Sequence, residues 1–165
     1  MATTLTQGGN QTVTNGPPIN VRVTARKNDS GTVVYDHEWD FGGGPTKTGT
    51  IEVPKDTPPT DIKFHLTDRT GLNLRFYPSP SDAFYVGFAP NCPRSAGNAN
   101  GEFDLANPPS SSSNMQLTVR DMNVTACDLK YALRFDGDPY DDSEGHHPPF
   151  AYDPELKNGG GGTIL

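Results

Sequence analysis

The chain has 165 residues, a length that suits one domain with a core able to fold alone. Only 32% of residues are apolar, while Gly (18) and Pro (16) are abundant, which fits either a disordered chain or a domain of short strands and many turns. The net charge is −7 with no basic stripe, so nucleic acid and anionic membrane surfaces are excluded as partners, and no run of about 18 apolar residues exists to span a bilayer.

Residues 1–18 are polar and non-periodic and predict a flexible arm. They lack the basic and apolar regions of a secretory leader, so a cytoplasmic location is expected. Residues 19–158 then read as one β-sandwich domain, and residues 159–165 as a glycine-rich tail. Ile19, Val21, Val23 and Ala25 alternate with polar residues, which predicts a strand with one wet face. Asn28 to Gly31 is a turn signal, and Val33, Tyr35, His37 and Trp39 share one face of the next run, giving an antiparallel hairpin. Thr46 to Val53 predicts a weaker strand with Ile51 and Val53 inward. Ile62, Phe64 and Leu66 form a clear strand, and Asp68 to Gly71 predicts a turn into Leu72, Leu74 and Phe76, so Thr60 to Tyr77 reads as a second hairpin.

Phe84, Val86 and Phe88 mark a short strand. Pro90 to Asn114 is the longest irregular stretch, and connections of that length are usually functional or mobile. Met115, Leu117 and Val119 are expected inward, with Gln116, Thr118 and Arg120 in water. Asp121 to Asn123 turns the chain, and Leu129, Tyr131, Leu133 and Phe135 give the best alternation of all. Phe150 and Tyr152 open the last strand. No segment keeps a helical period for three turns. The fold class predicted is all-β: an antiparallel, Ig-like sandwich of about nine short strands, with a closed barrel as the alternative.

Candidate chemistry gathers near the C-terminus. From Asp136 to Leu156 there are seven acids and no Lys or Arg, and the rest of the chain carries 13 acids and 13 bases. Asp136, Asp138, Asp141, Asp142 and Glu144 offer hard oxygen ligands of the kind calcium takes, although the spacing departs from the helix–loop–helix calcium pattern. His146 and His147 could join them around a transition metal. The competing reading is a solvated acidic loop that blunts a sheet edge. His37, on an apolar face, reads as a core or edge histidine satisfied by a backbone group, and His65 as a residue of a wet face. No nucleophile elbow, zinc-protease or phosphate-loop pattern is present, so no catalytic residue is assigned. A sugar-binding surface would draw on Trp39, Tyr77, Tyr85, Tyr140 and Tyr152, but the neighbours of Trp39 predict burial. Cys92 and Cys127 flank strands. A reducing compartment leaves both as thiols.

Three short motifs lie in the last third: Leu117-Thr118-Val119, then Tyr131-Ala132-Leu133-Arg134-Phe135, then Asp153-Pro154-Glu155-Leu156-Lys157-Asn158. This arrangement resembles small bacterial proteins of the DP-EP family and, more distantly, inclusion-body proteins of the AidA/PixA type. The resemblance implies a β-sandwich without established catalysis. Read physically, Asp153-Pro154 ends a strand and lets Leu156 re-enter the core. The expected function is a non-catalytic binding or self-assembly module, with a protein partner or a second copy in a homo-oligomer. The alternative is a protein that binds calcium, a transition metal or carbohydrate through the 136–147 loop.

Overall fold

The computed structural model describes residues 3–5, 13–91, 93, 95–106, 115–139 and 154–162. It is a sandwich of two main sheets. The first strands, β1 (Thr3–Leu5) and β2 (Val13–Asn15), pair with each other. The first main sheet is built from β3 (Ile19–Lys27), β4 (Val33–Phe41), β6 (Thr60–Asp68), β9 (Phe103–Asp104) and β10 (Gln116–Asp121), in the order β4-β3-β6-β10-β9. The second contains β5 (Ile51–Val53), β8 (Phe84–Phe88), β11 (Ala126–Leu133) and β13 (Glu155–Gly159), in the order β5-β13-β11-β8. A small pair, β7 (Arg75–Phe76) with β12 (Phe135–Asp136), lies outside both. The one helix among the described residues, α1 (Pro80–Ala83), is a single turn, and no described helix is long and apolar enough to cross a membrane.

The alternation read from the sequence sets which face is buried. Ile19, Val21, Val23 and Ala25 on β3, Ile62 and Phe64 on β6, and Leu117 and Val119 on β10 are fully buried. They meet Ile51, Phe84, Leu129, Tyr131 and Leu156 from the other sheet. Aromatic rings cross the interface: Phe64 lies 5.8 Å from Phe84 and 5.6 Å from Tyr131, centroid to centroid. Each such side chain contributes roughly 1.5–3 kcal/mol by leaving water. Trp39 is 2% exposed, so the core takes it.

The first hairpin forms as expected, antiparallel, with Val23 facing His37. The Asn28 side chain closes its turn, accepting from the N–H groups of Ser30 and Thr32, and Gly31 supplies φ +80°. Five other expectations need correction. The sheets are mixed, since β3 runs parallel to β6 and β13 parallel to β5. Thirteen strands occur among the described residues, several of two or three residues, against about nine expected. The second hairpin does not exist: β7 pairs with β12, not with β6. The reason is Asp68, whose carboxylate accepts the Thr70 N–H, the Thr70 hydroxyl and the Leu74 N–H, carrying the chain away from its own sheet. On β10, Thr118 is fully buried, and Met115 is 41% exposed because the strand starts after it. The best-alternating run is also split, with Phe135 leaving β11 to stack on Tyr35 and Phe76.

Candidate functional site

The most developed polar arrangement lies where β10 turns into β11. Glu102, Asp121, Asn123 and Asn158 are all at most 2% exposed. Asp121 ends β10, Asn123 sits in the turn with φ +48°, Asn158 comes from β13, and Glu102 from the long loop just before β9. The Glu102 carboxylate accepts the Val124 N–H at 2.9 Å, the Thr125 N–H at 2.6 Å and the Thr125 hydroxyl. Asn158 Nδ2 bridges the two acids, donating to Glu102 Oε2 at 3.1 Å and to Asp121 Oδ1 at 2.9 Å. Burial pushes the Asp121 carboxyl up to about 7. The Glu102 charge adds to that push, and hydrogen bonds from Asn123 and Asn158 oppose it.

Asn123 ties three segments together. Its Nδ2 donates to the carbonyls of Pro54, Thr57 and Gly160, and its Oδ1 accepts the Gly160 N–H at 2.8 Å. The glycine run read as a tail is packed here: Gly159 is the last residue of β13, and Gly160 and Gly162 are buried. A Cβ on Gly160 would stand 2.5 Å from the Ala126 nitrogen, and one on Gly162 would collide with the Thr57 carbonyl. These glycines are there because backbone passes backbone.

This buried network frames a groove on the surface. Its lining residues include Ser79, Pro80 and Ser81 from the α1 turn, Ala96 to Asn98 and Gly101 from the long loop, Phe103 to Ala106, and Met122, around about 950 Å³. Gly101 and Phe103 flank Glu102, and Met122 lies between Asp121 and Asn123 and donates its N–H to the Glu102 carbonyl at 2.7 Å. Asn98 forms a parallel bridge with Val86 on the free side of β8, so the loop segment is fixed to the second sheet. The lining combines the apolar side chains of Phe103, Leu105 and Met122 with the two serines and several small residues, and Asp104 is the one ionisable side chain among the described lining residues.

Of the metal-ligating residues expected from the sequence, Asp136 and Asp138 are described, and they lie outside this network. Asp141, Asp142, Glu144, His146 and His147 lie outside the described residues, as do Tyr140, Phe150, Tyr152 and Asp153. Of the two that are described, Asp136 forms an ion pair with Arg75 at 2.8 Å, and Asp138 accepts the Tyr35 hydroxyl at 2.7 Å. They share one short segment but serve different partners. No group of three or more His, Cys, Asp or Glu suited to a metal occurs among the described residues. His37 Nε2 donates to the Gly49 carbonyl at 3.0 Å, so it is satisfied by backbone as expected. His65 is half-buried, and burial, with Lys63 and Arg22 nearby, lowers its pKa from 6.5. Tyr77 and Tyr85 are occupied by the Arg134 guanidinium, 4.8 and 4.9 Å from their ring centroids. Cys92 lies outside the described residues, and Cys127 is half-buried on β11.

Sequence reasoning missed Glu102, Asp121, Asn123 and Asn158. Asp121-Met122-Asn123 carries an ordinary turn signature, and nothing in the local pattern marks the turn as buried. The available signal was the pairing of a polar turn with a distant glycine run. No protein-family model matches the chain, and no curated protein matches it.

Proposed function

We propose that the protein is a non-catalytic binding module that takes an extended polypeptide segment into the groove between α1, β9 and the 96–101 loop. The observation that carries this reading is the composition of that groove, in which Phe103, Leu105 and Met122 are combined with serines, glycines and alanines. Small residues let a partner's backbone approach, and main-chain groups at a rim give an extended segment its hydrogen bonds. Long loops set on a rigid scaffold are where binding residues concentrate. The net charge of −7 and the acid among the lining residues repel anionic partners, so the segment is apolar with neutral or basic flanks.

The test is selection from a displayed random-peptide library, followed by titration calorimetry with the wild type and Ala106→Trp, which fills the groove from an exposed position. The reading expects enriched peptides with apolar centres and Lys or Arg flanks whose binding the variant abolishes. No enrichment, or binding that the variant leaves intact, overturns it. Concentration-dependent light scattering that the variant abolishes would make the occupant a second copy and overturn the choice of a foreign partner.

A further inference from the structure

Two oxygens in the buried network have no partner: Asp121 Oδ2 and Asn158 Oδ1. They belong to two groups already joined at their other ends, where Asn158 Nδ2 donates to Asp121 Oδ1 at 2.9 Å. Asn158 spends its second hydrogen on Glu102 Oε2, so its amide has none left. Two buried acceptors cannot satisfy each other, and leaving both unmet is costly. A single hydrogen on Asp121 Oδ2 resolves both. Turned toward Asn158 Oδ1, that hydrogen would complete the ring a carboxylic acid forms with a carboxamide, one N–H···O and one O–H···O.

We propose that Asp121 carries a proton in the folded chain and, through an acid–amide pair with Asn158, latches the C-terminal strand β13 to the β10–β11 turn. The charge distribution supports this. Glu102 has the donors an anion needs, three from Val124 and Thr125 and one from Asn158. Asp121 has only the Asn123 N–H and Asn158. One negative charge in the site is compensated, and a second would not be. The shift of Asp121 toward neutrality agrees in direction. Cys127, paired with Asn158 in register, is the other titratable group against the site. Burial raises its thiol further from 9.0, so it stays neutral through the same range.

The sign of the pH dependence follows. The folded value lies above the unfolded 3.8, so the native state holds one proton more between about 4 and 7. The contribution is complete below about 4 and is lost as pH rises through about 7, the folding constant falling about tenfold per unit. Asn158 sits inside β13, which lies between β5 and β11, so ionisation acts on the strand that completes the second sheet. Half-buried His65, shifted the other way, gives the opposite slope, so the wild-type curve alone does not isolate Asp121.

The experiment is carbon-13 NMR of the Asp121 carboxyl through the pH range, together with urea unfolding of the wild type and Asp121→Asn. The asparagine amide can still donate to Asn158 Oδ1 but does not titrate, and the His65 contribution cancels between the two proteins. The Asp121 carbon is expected to titrate near neutrality, and the folding constant of D121N relative to wild type to rise about a hundredfold between about pH 5 and 8. Titration of that carbon near 4, or a ratio unchanged with pH, overturns the latch. So does stabilisation of the wild type but not of D121N by calcium or magnesium, because a cation would then fill the gap. If D121N does not fold, the wild-type carbon titration decides alone.

Discussion

Replacing Asn123 by Ala removes the knot that joins the Pro54–Thr57 turn, the β10–β11 turn and the end of β13. The Asn123 side chain holds four backbone groups, and two of them keep other partners: the Pro54 carbonyl accepts the Thr57 N–H, and the Gly160 carbonyl accepts the Asp56 N–H. The Gly160 N–H and the Thr57 carbonyl are left buried and unmet, at about 1–3 kcal/mol each. The backbone at Asn123, φ +48°, adds about 1 kcal/mol when the residue becomes Ala. The expected loss is therefore about 3–7 kcal/mol, in the exceptional range for one substitution. Urea melts with an unchanged m-value measure it. Asn123→Gly, which suits the backbone but makes none of the bonds, should be about 1 kcal/mol milder. A loss below about 1 kcal/mol for N123A would show that the knot does not hold the fold.

Three further predictions are independent of that one. Gly160→Ala should destabilise far more than Gly43→Ala in thermal melts. Both glycines have φ +80°, but a Cβ at Gly43 meets open space and one at Gly160 meets backbone. Asp68→Asn should cost about 1–3 kcal/mol at neutral pH. Burial alone would raise that carboxyl, but the Thr70 hydroxyl and the N–H groups of Thr70, Leu74 and Asn73 outweigh it and hold the pKa below 3.8. The stabilisation is present above the unfolded value and is lost as pH falls through the folded one, so chemical melts should show the two proteins converging in acid. Asp136→Asn should leave the response of Tm to millimolar calcium unchanged, because Asp136 is already paired with Arg75. A response lost in the variant would make Asp136 a calcium ligand.

The strands were legible wherever one face is buried and the other wet. The period-two pattern of β3, β4 and β6 marks their core faces directly, and the Asn28 turn chemistry marks their hairpin. Pairing was less legible, because alternation says which way a side chain points and not which strand lies beside it. Leu74 and Phe76 are buried as their alternation predicts, yet their strand joins Phe135 and Asp136, since Asp68 bends the chain out of register with its neighbour. The polar site was not legible at all. Glu102, Asp121 and Asn158 are far apart in sequence and polar, and each alone suits a loop or an edge. Only the fold shows that they share one buried amide. The charge of the 136–156 segment was the loudest feature of the sequence, whereas the groove draws on Gly, Ala and Asn of the long loop and the serines of the α1 turn, residues whose composition signals only irregular backbone.

The most direct test of the groove is to follow backbone amide NMR shifts while titrating a peptide selected from the library, one with an apolar centre and basic flanks. The account predicts that shifts concentrate on Ser79, Ser81, Asn98, Leu105, Ala106 and Met122 and disappear in A106W. Shifts centred on the wet face of β3 and β4, or spread with no centre, would contradict it.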